Sequence, residues 1–486
     1  MRRATDRLAN ETFDILIVGG GITGACVARD AALRGLKVAL VERGDFANAT
    51  SAHNSKLIHG GLRYLRNLEF GLVRESLRER RIWQRIAPHL VHPLPFLVPL
   101  FGGSQRARAT LAAGLTLYDL LSFDRGWLDD PNQRLPGHSW LGADEARRRE
   151  PVLDQPDLDG AFLYYDAQMD SPERLALECL IEADANGAAI ANYLAASRLI
   201  LRDGRVTGCR VNDSMNGAAF DVRAKATLVA AGPWADIFLD HAINRSSHKL
   251  LRSKGIHVMV PAVTRTFALT MATAHGHFFV LPWRGHTLLG TTDSAFAGDP
   301  DTLGVSERDI AEFLALVNRH LPNAKLDRDR VEYFYAGLRP LVDDGTGNTY
   351  AASRRSELVD HGADDGLPGL FSAIGGKWTT SRRLAETVVD RLVKWLGVRA
   401  RPCATARKVL PAVAEPDPVT AIRNEMALTL EDVVMRRTAI GQFGPPSHET
   451  LDRVSRSMAG ELNWTEERRL REITTLTPWY RTREAA

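Results

Sequence analysis

Three glycines and one acid near the start of the chain have the spacing of a phosphate-binding turn. Gly19, Gly21 and Gly24 read Gly-x-Gly-x-x-Gly, and Glu42 follows 18 residues after the last of them. In such a pattern the first glycine permits a tight turn, the second lets the backbone approach a pyrophosphate, and the third lets a helix pack closely on a strand. A carboxylate at that distance is suited to a ribose hydroxyl. Other glycine turns carry cations. Arg63 follows Gly60–Gly61 after one leucine, Lys377 directly follows Gly375–Gly376, and Arg339 stands in a Gly-Leu-Arg-Pro loop. Arginine's planar fork can bind phosphate oxygens in pairs, and lysine contributes a point charge.

The elements that must position these groups are legible in the same stretch. Phe13 to Val18 is an apolar run bounded by glycines, which predicts a buried parallel strand. Ile22 to Arg34 has alanine-rich helical spacing, and its N-terminus presents amides and a dipole to an anion. Gly35 stops that helix, and Lys37 to Val41 is a second strand. Ala224 to Ala231 is a further strand ended by Gly232. Leu370 to Ile374 is another, followed by Gly375–Gly376 and a helix with Leu384, Val388, Leu392 and Leu396 on one face. The returning glycines point to a single resident nucleotide, and no second fingerprint exists for a diffusible nicotinamide. FAD is therefore the expected cofactor.

The predicted fold class is α/β. A discontinuous FAD-binding domain of Rossmann-like type spans 1–80, 165–240 and 345–395. A β-rich substrate domain is inserted as 81–164 and 241–344, with runs such as HFFVLPW and HTLLGTTD. After a Pro/Ala linker, 402–486 reads as a helical domain with no catalytic signature. A net charge of +3 with no basic, aromatic-interleaved tract argues against nucleic acid. Cys26, Cys179, Cys209 and Cys403 are too scattered for a metal or a disulfide framework, which suits a reducing cytoplasm. No metal is expected. The N-terminal stretch lacks the apolar run of a secretory signal, and no run reaches the ~18 apolar residues of a membrane span.

Five runs, SKLIHGGLRYL at 55–65, AAGPWAD at 230–236, GTTD at 290–293, GLRPL at 337–341 and GGKWTT at 375–380, resemble the FAD-dependent glycerol-3-phosphate dehydrogenases of the respiratory type. These belong to the D-amino-acid-oxidase-like flavoproteins of glutathione-reductase architecture. The resemblance implies oxidation of sn-glycerol 3-phosphate to dihydroxyacetone phosphate, with electrons passed to a quinone. It implies His257 and Arg339 as catalytic residues and Arg63, Tyr64, Arg354 and Lys377 around the phosphorylated substrate. Gly19, Gly21, Gly24, Glu42, Thr50, Ser51, Ser55, Lys56, Gly60, Gly61, Gly232, Gly376, Lys377 and Thr379 would face the cofactor. His59, His275 and His277 read as structural or surface residues.

The chain departs from the family where Ala52-His53-Asn54 replaces small residues, which leaves a covalent histidyl link to the flavin open, and at Trp378. Another polyol phosphate such as erythritol phosphate, dioxygen as acceptor, and a non-catalytic FAD-binding subunit remain alternatives; a homodimer is also open. Residues 106–123 join two arginines to a short apolar stretch, suited either to a buried helix or to a peripheral membrane anchor through Leu111, Leu115, Leu117, Leu120 and Leu121. The expected location is the cytoplasmic face of the inner membrane, or the cytoplasm.

Overall fold

A computed structural model describes residues 1–243, 250–273, 276–342 and 356–483. The apolar run at the start forms strand Thr12–Val18, which pairs in parallel with Val38–Val41 on one side and Ala219–Val229 on the other. Ala189–Ala191 and Leu370–Gly375 extend the parallel sheet at its two sides. Strand periodicity divides its side chains between two cores. Ile15, Ile17, Val38 and Leu40 pack under helices Ile22–Leu33, Pro172–Ala185 and Ser381–Leu396, through residues such as Ala28, Leu180 and Val388. Leu16, Val18, Ala39 and Val41 face the other way, against Cys209, Val211 and Val222 of an antiparallel extension. A parallel sheet covered on both faces explains why its strands read as continuous apolar runs.

Ten strands form a second, mostly antiparallel sheet, with Leu250–Pro261 paired to both His286–Gly290 and Tyr333–Val342. Its outer face packs on helix Glu307–His320 through Phe278, Phe313, Leu314 and Val317. The expected domain boundary at 165 falls inside strand Leu158–Met169, which belongs to this sheet, as does the short strand Leu57–Ile58. The C-terminal helices Pro418–Glu425, His448–Leu462 and Glu466–Thr475 are present as expected. They carry Ala421, Val454 and Met458 into a core shared with Phe96, Met259 and Tyr333.

Helix Gln105–Leu121 divides the leucines of the anchor reading between buried and exposed positions. Its Leu115 and Tyr118 are buried in that shared core, and Leu111 and Leu121 pack against it. Leu117 lines the central cavity. Only Leu120 is prominently solvent-facing, at 66% exposure, and it is joined by Leu68, Phe70, Phe123 and Trp127 as exposed apolar side chains. Among the described residues no helix is long and apolar enough to cross a membrane.

Candidate active site

The turn after strand Thr12–Val18 has little room for side chains. Gly19 has φ +113°, and a Cβ on Gly24 would lie 2.0 Å from the Gly19 carbonyl oxygen. Gly21 caps helix Ile22–Leu33, whose first amide, on Ile22, donates to Ser51 Oγ at 2.9 Å. The buried Glu42 carboxylate accepts from the Gly20 amide at 2.6 Å and the Gly44 amide at 2.9 Å. Burial raises its pKa, and these two amides pull it back. Gly19, Gly21, Glu42, Thr50, Ser51, Gly232, Gly376 and Thr379 all line one cavity of about 1600 Å³. A glycine cradle at a helix N-terminus with a buried carboxylate beyond it fits the pyrophosphate and ribose of an adenine dinucleotide.

At the other end of the cavity stand Ser55, Gly61, Arg63, Tyr64, His257, Arg339 and Lys377. His257 lies on strand Leu250–Pro261, and its Nε2 is 2.9 Å from Ser55 Oγ. The ring stacks on Tyr335 at 4.9 Å, and Nδ1 has no hydrogen-bond partner. Burial, with the charges of Arg339 and Lys56 adding to it, holds this imidazole well below its ordinary pKa. It is therefore neutral, the form that can accept a proton. Arg339 donates to Ser253 Oγ at 2.8 Å and Thr291 Oγ1 at 2.7 Å, and lies 3.6 Å from Asp293. Lys377 Nζ lies 2.5 Å from Ser76 Oγ and 4.5 Å from the Tyr64 ring, with Arg63 over the same ring at 4.9 Å. Burial lowers the Lys377 pKa, and Arg63 repels it further.

Some expected residues sit elsewhere. Lys56 turns its ammonium away from the cavity, donating to the Ala52 carbonyl at 2.7 Å and Glu173 at 3.2 Å beneath the rings of Trp283 and Tyr335. Gly60 does not line the cavity. A Cβ there would meet Leu77 and the Tyr118 hydroxyl at 2.3 Å, so this glycine serves close packing. Arg354 and His275 lie outside the described residues. His53 stacks on Tyr335 and approaches Trp479, wedged between aromatic rings at the cavity wall.

Two histidines read as structural or surface line the cavity instead. Burial and the nearby cations Lys377 and Arg63 bring His59 down to about 3, and burial with Arg63 and Arg66 brings His277 down to about 4. Strand parity held a signal for His277: it is followed by Phe278, which is buried on the sheet's outer face, so His277 must face the cavity.

A glycine turn on a parallel sheet, opening into a cation-lined cavity roofed by a second sheet, defines a dinucleotide-dependent flavoprotein class. Residues 14–391 match the family described as FAD dependent oxidoreductase, and residues 361–469 match the C-terminal domain of alpha-glycerophosphate oxidase. The chain is 37% identical to the glycerol-3-phosphate dehydrogenase of Synechocystis sp., over 83% of this chain and 74% of the relative. It is also 37% identical to glycerol-3-phosphate dehydrogenase 2 of Mycobacterium tuberculosis, over 83% of this chain and 67% of the relative. The FAD-complexed glycerol-3-phosphate dehydrogenase structure from Bacillus halodurans superposes with a TM-score of 0.77 at 27% identity, covering 97% of this chain and 95% of that one. The chain belongs to the FAD-dependent oxidoreductases, in the group of the glycerol-3-phosphate dehydrogenases.

Proposed function

We propose that this enzyme oxidises sn-glycerol 3-phosphate to dihydroxyacetone phosphate and passes the electrons to a quinone. The observation that carries the reading is the convergence of Arg63, Lys377, Arg339 and a neutral His257 on the cavity that holds the glycine turn. Arg63 and Lys377 bind the phosphate and fix the substrate's orientation, which lowers the entropic cost of reaching the reactive geometry. His257 takes the C2 hydroxyl proton at Nε2, the nitrogen that Ser55 holds at the cavity wall. Arg339, fixed by Ser253 and Thr291, stabilises the negative charge that develops on that oxygen. FAD, when bound, supplies the acceptor for the hydride that leaves C2.

A quinone acceptor is supported by the exposed apolar set Leu68, Phe70, Leu120, Phe123 and Trp127. Arg74 lies over the Phe123 ring at 4.4 Å and Arg81 over Trp127 at 5.8 Å, and both pair with Asp124, so one positive charge in excess edges this patch. Cations around apolar side chains suit a peripheral site on an anionic bilayer, where a lipid-soluble quinone is found. The decisive measurement is the absorption spectrum of the purified protein on anaerobic addition of glycerol 3-phosphate. Loss of the main flavin band supports the reading. Bleaching only by a longer polyol phosphate would replace the substrate, and peroxide release in air without added acceptor would replace the quinone.

A further inference from the structure

The C-terminal helical unit carries no catalytic signature, yet it reaches the cofactor cradle through a fully buried ion network. Asp45 sits three residues beyond Glu42, and its side chain is sealed from solvent. Arg436 Nε lies 2.6 Å from Asp45 Oδ2, and Arg437 donates to both carboxylate oxygens at 2.8 Å. Both arginines belong to the π-helical turn Asp432–Arg437, nearly 400 residues away in sequence. Asn192 adds a third grip on Asp45 at 3.1 Å and bonds the Met426 carbonyl at 2.9 Å.

The segment so gripped is the one that shapes the ribose end of the cradle. The Gly44 amide donates to Glu42 and its carbonyl accepts from the Tyr193 amide at 2.9 Å. The Ala47 amide reaches back to the Gly20 carbonyl at 3.1 Å, and Phe46 fills the space beside Gly20, where a Cβ would meet it at 2.8 Å. Residues 42–47 therefore bridge the glycine turn and the C-terminal arginines with no flexible link between. Burial alone would raise the Asp45 carboxyl, but Arg437 and Arg436 outweigh it and bring it to about 2. The carboxylate stays ionised at neutral pH, and removing either arginine would leave a buried charge short of a partner.

We infer that Arg436 and Arg437 are positioning residues for FAD: through Asp45 they hold the Glu42–Ala47 segment in its cofactor-binding shape, so the C-terminal unit governs cofactor retention. Neither arginine touches the cavity. Their removal should weaken FAD binding more than substrate binding. The test uses Arg437→Met and Asp45→Asn, with Met458→Ala, which opens a void in the same helical unit, as the control for simple destabilisation. FAD affinity is measured by reconstitution of the apoprotein, and substrate KM at saturating FAD. The expected result is a loss of FAD affinity of about tenfold or more in both test variants, with KM moving less than about threefold and Met458→Ala keeping its affinity. Equal FAD affinity in all three variants, or an equal loss in Met458→Ala, overturns the inference. Hydrogen exchange on the wild type provides a measurement independent of how the variants fold. FAD should slow exchange in 430–438 as well as in 42–47, and protection confined to 42–47 would refute the connection.

Discussion

Replacing Lys377 with methionine removes one charge from the end of the cavity proposed to hold the substrate phosphate and leaves the volume nearly unchanged. An ammonium about 4 Å from a phosphate gains about 4 kcal/mol per negative charge at an effective dielectric near 20. Part of that is already offset in the free enzyme, because burial and Arg63 disfavour the charged ammonium, as its lowered pKa records. Losing a charge-assisted hydrogen bond costs about 1.5–3 kcal/mol by itself. A net loss of about 2–4 kcal/mol corresponds to a fall in kcat/KM of about 30- to 900-fold. Steady-state kinetics with a dye acceptor would measure it, with flavin content read from the visible spectrum, since Lys377 also borders the cofactor cavity. The wild-type pH profile gives a second reading. The ammonium must be charged to hold phosphate, so affinity should fall as pH rises through a pKa lower than an ordinary lysine's. A variant with full flavin content and a kcat/KM within about threefold of wild type would refute the role of this charge.

His257→Asn should lower kcat by about 10²- to 10⁴-fold with flavin retained, measured by single-turnover flavin reduction; an unchanged rate removes the imidazole from proton transfer. Because folding holds His257 neutral and its unfolded counterpart binds a proton below about pH 6.5, stability is full above that pH and declines below it. That one residue contributes a slope of up to about 1.4 kcal/mol per pH unit, readable from urea unfolding at pH 7 and 5. Leu120→Ser with Phe123→Ser should release the enzyme from anionic liposomes, at about 1–2 kcal/mol of lost insertion per side chain, while dye-coupled turnover persists. Flotation of the double variant with the vesicles would show that this patch is not the lipid contact.

Local chemistry was legible from the chain alone. The glycine turn, the strand before it and the helix after it are set by steric permission at Gly19 and Gly24 and by apolar periodicity, which act over a few residues. The same holds for the returning strand Leu370–Gly375 and the face of helix Ser381–Leu396. The cavity cations Arg63, Arg339 and Lys377 were visible because each stands beside a glycine or proline turn.

Side-chain direction at irregular backbone was decided elsewhere. Lys56 has the sequence position of a cofactor ligand, yet a φ of +57° turns it into a pocket made by Glu173, Trp283 and Tyr335, all distant in sequence. Leu117 and Leu120 are three residues apart on one helix, yet the first lines the cavity and the second meets solvent. The buried partnership of Asp45 with Arg436 and Arg437 leaves no local trace, because charged residues on a solvated face and in a sealed network look alike in sequence. The sequence by itself determined the cofactor turn and the strands and helices around it, since those follow from interactions between near neighbours. Tertiary structure alone decided which apolar side chains meet solvent and which charges join the C-terminal unit to the cradle, since burial is a property of the packed whole.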